Sequence, residues 1–120
     1  MPTPRTRLGG QGEETAREFL LGKGYQILAA KYRCRWGELD LVAQEGAELV
    51  FVEVRTRRST AFGTPEESLT PAKVRRMVAA CHHYLQNCAA PDTPWRIDLV
   101  TVRMMPQGPV IDHLRHAVEG

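Results

Sequence analysis

The sequence predicts an α/β domain, a central mixed sheet of about five strands flanked by helices. Three observations carry that prediction. Helical and strand-like periodicities follow one another in the order αβββαββ, which implies one mixed sheet with helices packed on it. The run Leu49-Val50-Phe51-Val52-Glu53-Val54 is apolar on both faces except at Glu53, as expected of a central strand covered on both sides. The 120 residues, 42% hydrophobic and 25% charged, match ordinary globular usage and suffice for one core without disulfide staples.

Each element has its own signal. Residues 1–9 read as a flexible basic arm and residues 10–120 as a single domain. Gly9, Gly10 and Gly12 provide a flexible entry to a helix from about Gln11 to Lys23, which stops at Gly24. Ala16, Phe19 and Leu20 form its apolar stripe. Glu13 projects along that stripe, while Glu14 and Glu18 point to solvent. Tyr25 to Ala30 is a first strand, and Arg33-Cys34-Arg35-Trp36-Gly37 a basic turn. Glu38 to Ala43 and Leu49 to Arg55 are strands joined by a hairpin-sized link containing Gly46. Residues 57–69 are a polar loop. Thr70-Pro71 supplies an N-cap and a proline at the first helical position. Val74, Met77, Val78, Cys81, Leu85 and Cys88 then recur at helical spacing until Pro91 and Pro94 end the helix. Trp95 to Val102 is a fourth strand and Val110 to Leu114 a weaker fifth.

Several function classes are disfavoured. No apolar run approaches the ~20 residues of a membrane-spanning helix. Met1 to Arg7 has no apolar segment behind its charges, so no signal peptide is expected. The three cysteines, Cys34, Cys81 and Cys88, are odd in number and contain no CxxC pair, which suits a reducing cytoplasm. They read as small core or surface residues. His82, His83, His113 and His116 lack metal-ligand spacing and read as surface histidines. There is no P-loop, GxGxxG or GxSxG, and no repeat.

The chemistry rests on two carboxylates in apolar surroundings. Asp40 interrupts Leu39-Asp40-Leu41-Val42 and Glu53 interrupts Val52-Glu53-Val54. A buried charge is costly unless paired or coordinated. If the turn centres between Gly46 and Ala47, Asp40 lies directly opposite Glu53, about 4.5–5.5 Å away on one face. A one-residue slip would put them on opposite faces. Two opposed carboxylates need a cation between them. Arg55, on the same face as Glu53, could serve, giving a purely structural ion cluster. The alternative is a hard divalent ion such as Mg²⁺ or Mn²⁺, with waters and substrate phosphate completing the shell. Glu13 adds a third acid, more than one salt bridge requires.

The basic residues favour the same region. The net charge is only +2, yet nine of sixteen Lys and Arg fall between Lys31 and Arg76. That concentration could cradle a polyanion around the acids. Lys73 stands in the first turn of its helix, where the dipole disfavours a cation, so a nearby carboxylate or phosphate is expected.

Gly12-Glu13-Glu14-Thr15-Ala16, Tyr32 through Ala43, Leu49 through Arg55 and Phe62-Gly63-Thr64-Pro65 together resemble the YraN-like family of small, largely uncharacterised bacterial proteins. The resemblance runs from Gly10 to about Ala117. That family is similar to restriction-endonuclease-like nucleases with a D…ExK signature, especially archaeal Holliday-junction resolvases. The resemblance implies a restriction-endonuclease-like fold, Glu13, Asp40 and Glu53 as metal-binding acids, and Arg55 in the place of the signature lysine. Arg55 departs from the wider nuclease pattern. Arginine stays protonated, so Arg55 cannot be a general base, although it can stabilise charge developing on phosphate. Lys31 stands where the family often has Asn.

The expected function is therefore a nucleic-acid-binding protein acting as a Mg²⁺- or Mn²⁺-dependent endonuclease, on branched DNA in one version of the reading. Glu13, Asp40, Glu53 and Arg55 would be catalytic. Arg33, Arg35, Arg57, Arg58, Lys73 and Arg76 would contact phosphates of DNA sooner than RNA. The expected setting is cytoplasmic, without membrane, with a homodimer by analogy to two-fold nucleases. The rival expectation is a non-catalytic nucleic-acid- or protein-binding module in which the acid cluster is structural.

Overall fold

The computed structural model describes residues 4–57 and 69–118. Helix α1 (Pro4–Gly22) is followed by strands β1 (Gln26–Cys34), β2 (Gly37–Glu45) and β3 (Glu48–Arg57). Helix α2 (Pro71–Cys88) then leads to β4 (Trp95–Met105) and β5 (Gly108–Val118). The strands form one mixed sheet in the order β1-β2-β3-β4-β5. All neighbours are antiparallel except β3 and β4, which are parallel because α2 carries the chain back across the sheet. This is the α/β architecture the periodicities predict, and it is compatible with a restriction-endonuclease-like fold.

Each helix covers one face. Ala16 and Leu20 of α1 pack with Tyr25, Leu41, Ala43, Val50, Val52, Val100 and Val102. On the other face Met77, Ala80, Cys81 and Tyr84 of α2 pack against Leu39, Val42, Phe51 and Ile97. The alternation along β3 places Val50 and Val52 under α1, and Leu49 and Phe51 under α2. The α1 stripe is the one expected, with Glu14 and Glu18 exposed. On α2 the buried face centres on Met77, Ala80, Cys81 and Tyr84, whereas Cys88, expected in the stripe, is exposed. Cys81 is a core residue whose thiol burial pushes up to about 12, so it is inert.

Several boundaries differ from expectation. Helix α1 begins at Pro4, so residues 4–9, read as an arm, continue the helix. Proline at a first helical position forfeits no hydrogen bond, since that N–H would have no partner inside the helix. Gly12 is consequently inside the helix and serves close packing. A Cβ there would lie 1.7 Å from Thr56 Oγ1, so glycine lets α1 approach the end of β3. The strands are also longer than predicted at several ends, most of all β5, because ladder hydrogen bonds continue through polar residues that alternation alone discounts. Gly24 does close α1, with φ of 91° and its N–H donating to the Leu21 carbonyl at 3.0 Å.

Lys31 adopts φ of 53°, the left-handed region in which Asn is enriched. Its ion pair with Glu13 is long, 3.8 Å, and Lys31 is 61% exposed, so that contact stabilises little. Lys31→Asn is expected to raise stability by about 0.5–1 kcal/mol through relief of backbone strain. Urea melts compare the two proteins. A loss of stability would show that the Glu13 contact outweighs the strain.

Candidate acid site at the β2–β3 fork

The β2–β3 hairpin has the register deduced from its turn: Leu41 pairs with Val52, Val42 with Phe51 and Ala43 with Val50. Asp40 and Glu53 are the next positions in that register, just beyond Leu41 and Val52, where the ladder of paired residues ends. Instead of a main-chain partner, the Val54 N–H donates to Asp40 Oδ2 at 2.8 Å. Side-chain parity changes here too. Leu41 packs under α1, while Leu39, which strict alternation would place beside it, packs under α2. Asp40 thus occupies a fork where the two strands part.

Asp40 and Glu53 hydrogen-bond to each other through their side chains. Burial, the hydrogen bond to Glu53 and the Glu53 charge push Asp40 up to about 8, despite the opposing Val54 N–H. Glu53 is driven the other way. Its burial, 7% exposed, would raise it, but the Asp40 hydrogen bond and the Lys73 ammonium together hold it below the usual carboxylate range. The opposed shifts are those of two carboxylates in contact that resist ionising together.

Lys73 Nζ lies 2.7 Å from Glu53 Oε2, while the Arg55 guanidinium is 3.9 Å away. The carboxylate expected beside Lys73 from helix electrostatics is Glu53 itself. Thr70 caps α2, accepting from the Lys73 N–H at 3.3 Å, and so sets Lys73 in the first turn facing the sheet. Arg55 is the more distant of the two cations, a ranking the sequence did not supply.

Glu13 is not drawn into the carboxylate pair. It comes from α1, 26% exposed, and pairs with Lys31, although its charge contributes to raising Asp40. Among the described residues, no group of three or more His, Cys, Asp or Glu side chains is placed to hold a metal ion. The three-acid constellation is thus a pair with a third acid nearby.

Glu53 and Lys73 open into a cleft of about 320 Å³ whose other walls include Arg33, Gly37, Glu38 and Arg76. Arg33 is 74% exposed and pairs with Glu38 at 3.2 Å. Arg35 lies over the Trp36 ring, 4.7 Å from its centroid. Arg57 ends β3, half-buried. Arg58 and the segment Phe62-Gly63-Thr64-Pro65 lie outside the described residues.

A second charged cluster, on the α1 face, escaped the sequence reading. Asp98 is fully buried and accepts from Arg96 Nε at 3.0 Å, His113 Nε2 at 2.7 Å and the His116 N–H at 3.0 Å. Arg96 also donates to Glu48 Oε1 at 2.5 Å and Tyr25 Oη at 2.8 Å. His113, expected at the surface, has a side chain only 4% exposed. Lys23 Nζ is 3.0 Å from His113 Nδ1, so the imidazole bridges Lys23 and the buried Asp98. The available signal was Arg96-Ile97-Asp98, two charges on one face of an otherwise apolar strand.

Comparison with known proteins adds kinship without an activity. The sequence pattern of "Uncharacterised protein family UPF0102" matches residues 12–102. A UPF0102 protein of Roseiflexus castenholzii is 48% identical over 118 residues, covering 96% of this chain and 95% of its own. One from Herpetosiphon aurantiacus is 43% identical over 119 residues, 96% of each chain. One from Nocardia farcinica is 46% identical over 112 residues, 90% of this chain and 86% of its own.

Proposed function

The chain belongs to the UPF0102 (YraN) family, and on that footing we propose that it binds nucleic acid and hydrolyses phosphodiester bonds with a divalent cation. The observation that carries this reading is the Asp40–Glu53 pair at the β2–β3 fork, with cations on its open side. Two carboxylates in hydrogen-bond contact cannot both ionise without a positive charge between them. Their hard oxygen donors suit Mg²⁺ or Mn²⁺, which typically use one or two carboxylates and keep waters and phosphate oxygens as the remaining ligands. Asp40 and Glu53 would hold the ion, with Glu13 close enough to add charge. Such an ion supplies Lewis-acid polarisation of phosphate and lowers the pKa of water.

The remaining roles belong to the chain's own cations. Lys73 and Arg55 place positive charge beside Glu53, where a phosphate reaching the carboxylates would be neutralised. Arg55 remains protonated, so it orients and stabilises phosphate without taking a proton. Arg33 and Arg76 line the cleft and suit flanking phosphates.

The test is calorimetric Mn²⁺ titration of wild type and Asp40→Asn, with a branched-DNA cleavage assay on the same samples. The expected result is binding and cleavage in wild type, both lost in the variant. A well-folded wild type that takes up no Mn²⁺ would reject the reading in favour of a structural cluster.

A further inference from the structure

We propose that Trp36, at the tip of the β1–β2 hairpin, is a stacking platform for an unpaired base of single-stranded nucleic acid entering the acid cleft. This inference deepens the nucleic-acid reading and rests on it. Trp36 is 53% exposed, the most exposed large apolar side chain among the described residues. One exposed apolar residue needs no explanation by itself. Three further features distinguish this one.

The first is chemical. The Arg35 guanidinium lies 4.7 Å from the indole centroid, so the ring already stacks with a cation. Aromatic faces beside arginine are the usual means of holding unpaired bases, since every base has a π face and every nucleotide a phosphate. The second is spatial. Trp36 forms one wall of a cavity of about 240 Å³ completed by Ala79, His82, His83 and Gln86 of α2. The polar tips of His82 and Gln86, both exposed, can hydrogen-bond a base edge. This cavity adjoins the Glu53–Lys73 cleft along the same helix. Arg76 lines the cleft, and Ala79 and His83 follow it one and two turns later.

The third is rigidity. The Tyr32 hydroxyl hydrogen-bonds His83 Nδ1, and the Tyr32 ring meets Tyr84 edge-on at 5.1 Å. Gly37 lets the hairpin press on α2, because a Cβ there would lie 2.8 Å from the Arg76 carbonyl oxygen. The tip is thus clamped to the helix that carries Lys73, so little ordering is needed when a base arrives. Arg33, Lys73 and Arg76 line the cleft against two acids, Glu38 and Glu53, and Arg35 sits on the Trp36 ring. That charge favours a polyanion over an acidic-poor or apolar partner.

The experiment uses a Trp95→Phe background, so that fluorescence reports Trp36 alone, titrated with 15-mer oligo(dT), oligo(U) and a blunt duplex in EDTA. Single strands of either sugar are expected to quench the emission, and the duplex less. In anisotropy titrations Trp36→Ala should bind oligo(dT) at least about tenfold more weakly, with Trp36→Phe retaining most of the affinity. Absent quenching, unchanged affinity in Trp36→Ala, or equal losses in Ala and Phe would each overturn the inference. Without metal, these outcomes are independent of the nuclease test: cleavage dependent on Asp40 alongside a silent Trp36 would sink only the stacking claim.

Discussion

Asp98→Ala is expected to cost about 3–5 kcal/mol of folding stability, the largest effect of any single substitution considered for this chain. Asp98 is fully buried, and every group it contacts is a donor: Arg96 Nε and Nη2, His113 Nε2 and the His116 N–H. Truncation leaves these donors facing a void in a sheet interior. The damage would extend to the backbone, because β5 shifts register between the Ile97 and Leu99 partners and His116 takes φ of 53° where its N–H reaches Asp98. Asp98→Asn should rescue little. An amide would turn its NH₂ toward either Arg96 or His113, donor against donor. The double variant Arg96→Met/Asp98→Leu should lose less than Asp98→Ala, since it removes both charges together. Thermal melts of the three variants check the ranking. Near-wild-type stability of Asp98→Asn would show that the donors around Asp98 are not fixed.

The pH behaviour of Asp98 has the ordinary sign for a satisfied acid. Burial would raise its pKa, but His113, Arg96 and the His116 N–H outweigh that and lower it. Its contribution to stability is present above the usual Asp range and is lost as pH falls through the depressed folded value. Asp40, on β2, is opposite in every respect. It has one backbone donor, a second carboxylate against it, and a raised pKa. The two aspartates, Asp98 buried and Asp40 half-buried, thus separate a structural acid, satisfied by fixed donors, from one whose pKa is raised for want of a cation. That contrast is the physical reason for centring the proposed chemistry on Asp40 and Glu53, and for reading Asp98 as a part of the core.

Much of this was legible in the sequence, for identifiable reasons. The β2–β3 register followed from where Gly46 sits between two apolar runs, and it put Asp40 and Glu53 together. Thr70-Pro71 placed the start of α2 at the right residue, and the dipole argument anticipated an anion at Lys73. Other features depend on contacts between distant segments. The buried place of His113 requires β5 to lie beside β4 on the α1 face, which its weak alternation does not reveal. Gly12 looked like a flexible entry because its neighbour across the core, Thr56, is known only once α1 packs on β3. The strand fork at Asp40 is likewise a tertiary feature: pairing rules predict the opposed acids, but not that the ladder ends there.

Asp40→Asn is expected to abolish Mn²⁺ uptake while making the protein more stable in alkaline solution. Because Asp40 titrates near about 8 when folded, the folded chain holds a proton that the unfolded chain releases near about 4. Stability therefore falls as pH rises through that interval, and the full penalty is present above it. Asparagine mimics the protonated acid, its amide donating to Glu53 and its carbonyl accepting from the Val54 N–H, and it cannot ionise. The variant should match wild type near pH 5 and exceed it at pH 9 by on the order of 1–3 kcal/mol. Glu53 titrates with the opposite sign, below the usual Glu range, and so does not offset this window. If wild type binds Mn²⁺ at this pair as proposed, the ion must displace the proton that Asp40 holds. Affinity should rise about tenfold per pH unit up to about 8 and then level, with about one proton released per ion. Calorimetry in buffers of different ionisation enthalpy measures that proton, and chemical melts at the two pH values measure the stability. An ion cluster serving only the fold predicts the reverse: Asp40→Asn less stable at every pH, and no proton release on adding Mn²⁺. An Asp40→Asn protein weaker than wild type at pH 9 would show that the ionised aspartate is held by cations already in the fold, leaving Glu53 and Lys73 an ordinary salt bridge.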